Sequence, residues 1–163
     1  MSSRRLHIDL ESRSTVDLPD ANAYVYFDHP TTALWLGAYA FSDDPEPKLW
    51  HPGEPCPPEI VDHVRSGFPV WGWNVHFERL AWRKLLGPVH GWPIPELRQF
   101  RCSMALSFAS SLPGKLERAA PALNLDVLKD AAGARLMQKM AKPRRPRKGE
   151  PDGLYWWDSP DEI

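Results

Sequence analysis

Two carboxylates stand two residues apart near the start of the chain, in the sequence LHIDLES. Leu6, Ile8 and Leu10 alternate with polar residues, and this period of two predicts a β-strand with one buried face. Asp9 and Glu11 would then project from the other face and repel each other. A divalent cation between them would relieve the repulsion, and oxygen ligands suit Mg²⁺ or Mn²⁺. A solvated strand face at a sheet edge is the ordinary interpretation of such a pattern, and Asp-x-Glu on a strand is by itself a weak signal.

A third carboxylate, Glu78, lies in the sequence WNVHFERLAW. The pattern predicts a short strand in FPVWGW that leads into a helix, with Asn74 as a favoured N-cap and Gly87 as its end. Glu78 would fall in the first turns of that helix, where the helix dipole also favours an ordinary surface glutamate. Taken alone, Glu78 would therefore carry no functional prediction.

The elements that would position these residues follow an α/β pattern. Strands are predicted at 22–27 and 33–41 after the first one, with a turn between them, and these make three antiparallel strands. The proline-rich stretch 43–58 is predicted as a loop. Helices then alternate with strands, in PPEIVDHVRSG, in the strand-to-helix sequence QFRCSMALSFASS and in LPGKLERAAPALNL. The prediction is a mixed sheet, antiparallel and then parallel, with helices on its faces.

Composition narrows the class of protein without selecting a function. The chain has 163 residues, of which 42% are hydrophobic and 25% charged, as expected for one globular domain. Its net charge of −1 creates no overall field that attracts nucleic acid, so any basic surface must be local. The two cysteines form no CxxC motif, which favours a reducing, cytoplasmic setting. No apolar run approaches the roughly 20 residues that a membrane helix needs.

Three stretches in order resemble the 3′–5′ exonuclease domain of family A (DNA polymerase I-like) DNA polymerases, and particularly its phage type. They are IDLESRSTVDL, WNVHFERLAW and RCSMALSFASSLPGKLERAAPALNL. Members of this DEDDy group open with an Asp-x-Glu strand, continue with an Asn-x-x-[Phe/Tyr]-[Asp/Glu] motif and later carry an LPGSLE-like turn. The resemblance covers about residues 5–163. It implies a single exonuclease-like domain over 1–163 with a ribonuclease H-like fold.

The resemblance also implies an activity and a metal requirement. Members hydrolyse phosphodiester bonds at single-stranded DNA 3′ ends, and this activity serves proofreading in DNA replication. For this chain the resemblance implies a location in the cytoplasm of a bacterium or of a phage-infected host. Two divalent ions, Mg²⁺ or Mn²⁺, carry out the chemistry. By this resemblance Asp9 would bridge both ions, Glu11 would bind the first and help to position the attacking water, and Glu78 would hold the second.

Further positions match residues around the motifs and are candidates for substrate contact. Asn74 and Phe77 correspond to neighbours that orient the terminal nucleotide or support the second motif. Ser12 begins the Ser-Arg-Ser run that follows the Asp-x-Glu strand in phage members. His76 lies beside the second motif and is placed to touch substrate, although a surface histidine fits the sequence as well.

The basic sequence KPRRPRK lies in a stretch, 142–153, that is rich in proline and glycine and has no periodicity. Such composition predicts a mobile loop. Arg144, Arg145, Arg147 and Lys148 are the candidates for contact with a nucleic-acid backbone, which would make binding strongly salt-dependent. A solvated loop without a ligand is the alternative.

The third motif of the group, Tyr-x-x-x-Asp, has no match in this sequence. Its Asp completes the metal site and its Tyr contacts the attacking water. Tyr155 is followed by Asp at plus three and Ser at plus four, which departs from the motif. The final SPDEI resembles the stretch that leads into it, so we expect the sequence to stop before the fourth carboxylate. A DNA polymerase chain or another partner chain would then supply the missing Tyr and Asp.

Three functions remain open on the sequence alone. The first is the metal-dependent exonuclease acting on single-stranded DNA. The second is a non-catalytic module that keeps the fold and binds nucleic acid or a polymerase. The third is an exoribonuclease of the same superfamily, because nothing in the sequence indicates recognition of the 2′-hydroxyl group.

Overall fold

A computed structural model describes residues 4–125 and 131–157 of the chain. Within this part, five strands form one mixed sheet in the order β3-β2-β1-β4-β5. The strands are β1 (Leu6–Arg13), β2 (Ala33–Phe41), β3 (Asp44–Trp50), β4 (Val70–Gly72) and β5 (Phe100–Cys102). The pairs β1–β2 and β2–β3 are antiparallel, whereas β1–β4 and β4–β5 are parallel. The predicted α/β class is confirmed, and the arrangement is compatible with a ribonuclease H-like fold.

Short helices flank this sheet. They are α1 (Ala23–Asp28), α2 (Pro58–Arg65), α3 (Val75–Ala81), α4 (Gly87–His90), α5 (Ser103–Ala109), α6 (Leu116–Ala122) and α7 (Ala131–Met140). A π-helical turn, Trp82–Leu86, joins α3 to α4, and a 3₁₀ turn, Leu97–Gln99, precedes β5. None of the described helices has the length and apolar character needed to cross a bilayer.

The first strand has the predicted period of two. Leu6, Ile8 and Leu10 are buried in the main apolar cluster, which also includes side chains of α2, α3 and the π-helical turn. Each buried side chain of this size contributes about 1.5–3 kcal/mol to folding. Asp9 and Glu11 therefore lie on the opposite face of the strand, as predicted.

The strand predicted at 22–27 is wrong, because this stretch forms helix α1. The Asn22 side chain accepts hydrogen bonds from the backbone N–H groups of Tyr24 and Val25, which caps the helix start. Phe27 packs against Phe77 of α3, with ring centroids 4.7 Å apart. The cap and this tertiary contact outweigh the β propensity of the aromatic and branched residues.

The loop predicted at 43–58 is wrong for its first half, which forms β3. Pro45 and Pro47 lie within this strand, and they are tolerated because β3 is at the edge of the sheet. The third antiparallel strand is thus β3 rather than 22–27. The predicted count of three antiparallel strands is correct, with one member misplaced.

The predicted helix end at Gly87 is also wrong. The helical segment continues through the π-helical turn and α4, and it ends at Gly91, whose backbone is left-handed with a φ of 71°. The N–H of Gly91 bonds to the Gly87 carbonyl, and that of Trp92 bonds to Leu86. Gly91 is therefore the residue that closes this helical segment.

Candidate functional site

The sheet topology brings the carboxylate of α3 next to those of β1. Strands β1 and β4 are parallel neighbours, with Leu6 opposite Val70 and His7 opposite Trp71. Their carboxyl ends lie at the same edge of the sheet, which is where open α/β sheets place their ligands. Helix α3 begins three residues after β4 ends. Glu78, in its first turn, therefore lies near Asp9 and Glu11.

The three carboxyl groups influence one another electrostatically. Desolvation raises the pKa of Asp9 above its usual value. Desolvation, together with the charge of Asp9, raises the pKa of Glu11 to about 7. Desolvation is also the main cause that raises the pKa of Glu78 to about 7, with further contributions from Asp9 and Glu11. The sequence predicted repulsion between Asp9 and Glu11, and in the structure Glu78 takes part in this repulsion as well.

Glu78 is the most deeply placed of the three. Its side chain is 5% exposed, and its Oε2 atom is buried with no hydrogen-bond partner among the described residues. A buried carboxylate oxygen without a partner is costly to the fold. It is the kind of group that a bound cation or a proton would satisfy.

The donor set fits Mg²⁺ or Mn²⁺ in chemistry, because these hard cations prefer oxygen ligands such as carboxylates. In residues 4–125 and 131–157, no three His, Cys, Asp or Glu side chains are gathered closely enough to hold one metal ion. A cation would therefore have to draw the Asp9, Glu11 and Glu78 side chains together. The metal assignment stays a prediction.

Two cavities lie beside the carboxylates. One, of about 300 Å³, is lined by Asp9 together with His7, Trp71 and Trp73. The other, of about 280 Å³, is lined by residues of β1, α1, α3 and the basic stretch. They include Glu11, Ser12, Tyr26, Phe77 and Lys142. Space for a substrate thus exists next to both β1 carboxylates.

Tyr26 is a cavity residue that the sequence prediction missed. Its hydroxyl group is hydrogen-bonded to that of Ser12 at 2.9 Å, and both residues are buried. Desolvation is the main cause that raises the pKa of Tyr26. The error at 22–27 hid this residue, since a strand would not have placed it against α3. The Asn22 cap was the signal that could have revealed it.

The predicted substrate residues of the second motif lie on or beside α3. Asn74 is exposed at the N-cap position, yet its side chain makes no capping hydrogen bond within the described structure. Phe77 is half-buried against α1 and lines the Glu11 cavity. His76 accepts a hydrogen bond from Arg79 at 3.0 Å and contacts the Tyr24 ring edge-on. Their roles in substrate binding stay predictions.

The basic stretch packs onto the end of β1. The Ser14 N–H bonds to the Ala141 carbonyl, and Lys142 pairs with Asp17 at 2.7 Å. The Arg144 guanidinium forms two hydrogen bonds to Glu150, at 2.7 and 2.9 Å, and its side chain is only 9% exposed. The contacts of Ala141 and Lys142 place the start of the stretch beside the Glu11 cavity.

The other predicted phosphate contacts, Arg145, Arg147 and Lys148, are exposed. Arg144 differs from them because its charge already faces Glu150. The mobility predicted for 142–153 stays a prediction. The stretch 159–163, which resembles the approach to the third motif, lies outside the described residues.

Fold and site together define an α/β domain with a carboxylate cluster at the carboxyl ends of two parallel strands. The chain is 33% identical to a DNA polymerase of Bacillus phage SP02 in an alignment of 151 residues, which covers 89% of the chain. It spans only 22% of that polymerase. This likeness supports a polymerase-related domain. No protein-family model matches the chain, and no solved structure matches it significantly.

Proposed function

We propose that this chain is a metal-dependent 3′–5′ exonuclease domain that removes nucleotides from single-stranded DNA 3′ ends. The observation that carries the proposal is the convergence of Asp9, Glu11 and Glu78, whose raised pKa values reflect a shared, partly desolvated volume. The likeness of the chain to a segment of a phage DNA polymerase supports a substrate of DNA. Proofreading beside a polymerase, on the same longer protein or on a separate chain, is the role we propose.

The residues of the chain would share the work as follows. Asp9 and Glu11, from one face of β1, and Glu78, from α3, would hold two divalent ions. Bound ions of this kind generate hydroxide near neutral pH and stabilise the departing oxygen. Ser12 and Phe77, in the wall of the Glu11 cavity, would orient the terminal nucleotide. The exposed carboxamide of Asn74 would form hydrogen bonds to the substrate, and His76 of α3 would contact the DNA strand.

The proposal is tested by incubating the chain with end-labelled single-stranded DNA and Mn²⁺, with and without the change D9A. We expect stepwise shortening from the 3′ end by the wild type and its loss in the variant. The missing Tyr-x-x-x-Asp motif should make the rate low. Equal degradation by both proteins, or by neither, would contradict the catalytic proposal. An RNA strand of the same sequence distinguishes a deoxyribonuclease from an exoribonuclease.

A second candidate is a non-catalytic module that binds nucleic acid or a polymerase. It is favoured by the absence, among the described residues, of a ready three-ligand metal group, and by the exposed basic side chains of the stretch that borders the Glu11 cavity. This candidate predicts salt-sensitive DNA binding without cleavage, and binding that D9A leaves intact or strengthens.

A further inference from the structure

We infer that Gly72 is a positioning residue for the Glu78 carboxylate, an inference that rests on the proposed function. Gly72 is the last residue of β4 and is buried. A Cβ atom at this position would lie 3.0 Å from Oε2 of Glu78, 3.2 Å from Cδ and 3.4 Å from Cγ. The Glu78 side chain therefore occupies the space that any larger residue at 72 would fill.

The backbone gives no other reason for a glycine here. The glycines with positive φ in the described chain are Gly53, Gly67, Gly91 and Gly149. Gly72 is not among them, so an alanine could adopt its conformation without strain. A glycine at position 72 instead allows the Glu78 side chain to approach β4 closely, because it has no Cβ atom.

Glu78 has few alternative places to go. Its charge is repelled by Asp9 and Glu11, and it is buried together with Leu80 and Ala81 of the same helix. The contact is made by the end of a side chain rather than by backbone. A methyl group at 72 would therefore push the carboxylate aside by a few tenths of an ångström, and β4 and α3 would stay in place.

The experiment compares Mn²⁺ binding by the wild type, G72A and the control G37A, measured from water-proton relaxation. Gly37 is a buried glycine of β2 whose added Cβ would meet apolar atoms at similar distances, Leu10 Cδ2 at 3.2 Å and Trp50 Cε3 at 3.3 Å. We expect G72A to weaken Mn²⁺ binding about tenfold or more, as changes that disturb ligand orientation do. G37A should leave it nearly unchanged, and the melting temperatures verify that each variant folds.

A double-mutant cycle with E78D separates positioning from general damage. The shorter side chain withdraws from position 72, so G72A should change Mn²⁺ affinity less than about twofold in the E78D background. In the metal-free protein, the ¹³C chemical shift of the Glu78 carboxyl should change in G72A and stay constant in G37A. This measurement does not depend on metal binding.

Three results would overturn the inference. They are wild-type Mn²⁺ affinity in a folded G72A, an equal loss of affinity in G37A, and an equal loss when G72A is introduced into E78D. If the wild type binds no Mn²⁺, the proposed function fails, and the carboxyl shift alone decides the role of Gly72. An unchanged shift in G72A then overturns that role as well.

Discussion

Glu78 is a residue whose placement opposes folding in the metal-free chain. Its carboxyl group is buried, has an oxygen without a hydrogen-bond partner in the described structure, and is repelled by two other carboxylates. Proteins tolerate the loss of stability caused by a buried carboxylate near other carboxylates where that group belongs to a functional site.

We predict that E78Q stabilises the metal-free protein at pH 8 by about 1–3 kcal/mol, the scale that corresponds to a pKa shift of this size. The pKa of Glu78 rises from 4.5 to about 7 in the folded state. Between these values the folded state binds more protons than the unfolded state, so the free energy of unfolding of the wild type falls as the pH rises. Urea denaturation of both proteins at several pH values measures the difference.

The gain from E78Q should be absent below pH 4.5, where the carboxyl group is protonated in both states. Added Mn²⁺ should raise the stability of the wild type and have little effect on E78Q. A constant gain from pH 4 to pH 8 would mean that the pKa of Glu78 is not raised. R65A, a change at an exposed position of α2, serves as a control without a predicted pH dependence.

The sequence predicted the carboxylates better than it predicted their surroundings. Asp9 and Glu11 followed from alternation over a whole strand, which is a local pattern. Glu78 was singled out only because WNVHFERLAW resembles the second motif of the exonuclease group. Tyr26 could not be found in this way, because its place depends on the packing of α1 against α3. The contact of Gly72 with Glu78 likewise depends on tertiary structure, which a single sequence does not state.

Helix α1 is a short element that depends on its cap. The Asn22 side chain accepts hydrogen bonds from Tyr24 N at 3.0 Å and from Val25 N at 3.1 Å. A helix of six residues has little stability of its own. The cap therefore helps to keep Tyr26 in the wall of the Glu11 cavity.

We predict that N22A lowers the free energy of unfolding by about 1 kcal/mol, the usual cost of losing an N-cap side chain. N22D is the matched control, since an aspartate caps equally well, and it should stay close to the wild type. Chemical denaturation monitored by tryptophan fluorescence measures both. Equal destabilisation of the two variants would show that the cap is not the cause.

An ion pair between Arg144 and Glu150 lies within the stretch after α7. Two hydrogen bonds join Arg144 to Glu150, and a third, from the Arg147 N–H, also reaches the Glu150 carboxylate. These bonds, led by those from the Arg144 side chain, lower the pKa of Glu150 from 4.5 to about 2. The unfolded state binds more protons in that interval, so the pair stabilises the fold above pH 4.5 and is lost as the pH falls through 2.

A ¹³C-detected titration should find the pKa of Glu150 at about 2 in the wild type. In R144A the value should move up towards that of an ordinary glutamate, because the guanidinium group no longer stabilises the charged form. R145A, which removes an exposed neighbour, should leave the value low. An ordinary pKa for Glu150 in the wild type would contradict the ion pair.

The elements that the sequence misassigned have three different physical causes. Edge position permits the prolines of β3, a side-chain cap and an aromatic contact make α1 a helix, and the π-helical turn carries the chain past Gly87. Each of these depends on neighbours distant in the sequence or on a single capping side chain. Hydrophobic periodicity and secondary-structure propensity describe only the local sequence, and in each case they favour the element that was predicted instead.

The charge of the chain as a whole is nearly balanced, so its attraction for DNA should depend on a small number of local side chains. We predict that R145A/K148A reduces the dependence of single-stranded DNA affinity on salt. The slope of log K against log salt should be smaller by about 0.7 for each phosphate that the variant no longer neutralises. Fluorescence anisotropy measures the affinity at salt concentrations between about 50 and 300 mM, a range of about a factor of six.

The matched control for this prediction is R65A/R83A, which removes two exposed charges from α2 and the π-helical turn. The net charge of the two double variants is the same. The slope should stay at the wild-type value in the control if the basic stretch contacts the phosphates. Equal changes in both variants would indicate nonspecific attraction instead.

The edges of the sheet have a consequence for how this domain behaves when it is concentrated. A strand edge with unpaired backbone groups can recruit a strand from another molecule and begin aggregation. Here one outer strand, β3, contains Pro45 and Pro47, which offer no N–H group. The other, β5, has only three residues. Both borders of the described sheet are thus poor templates, so replacing Pro45 and Pro47 with threonine should promote fibril formation.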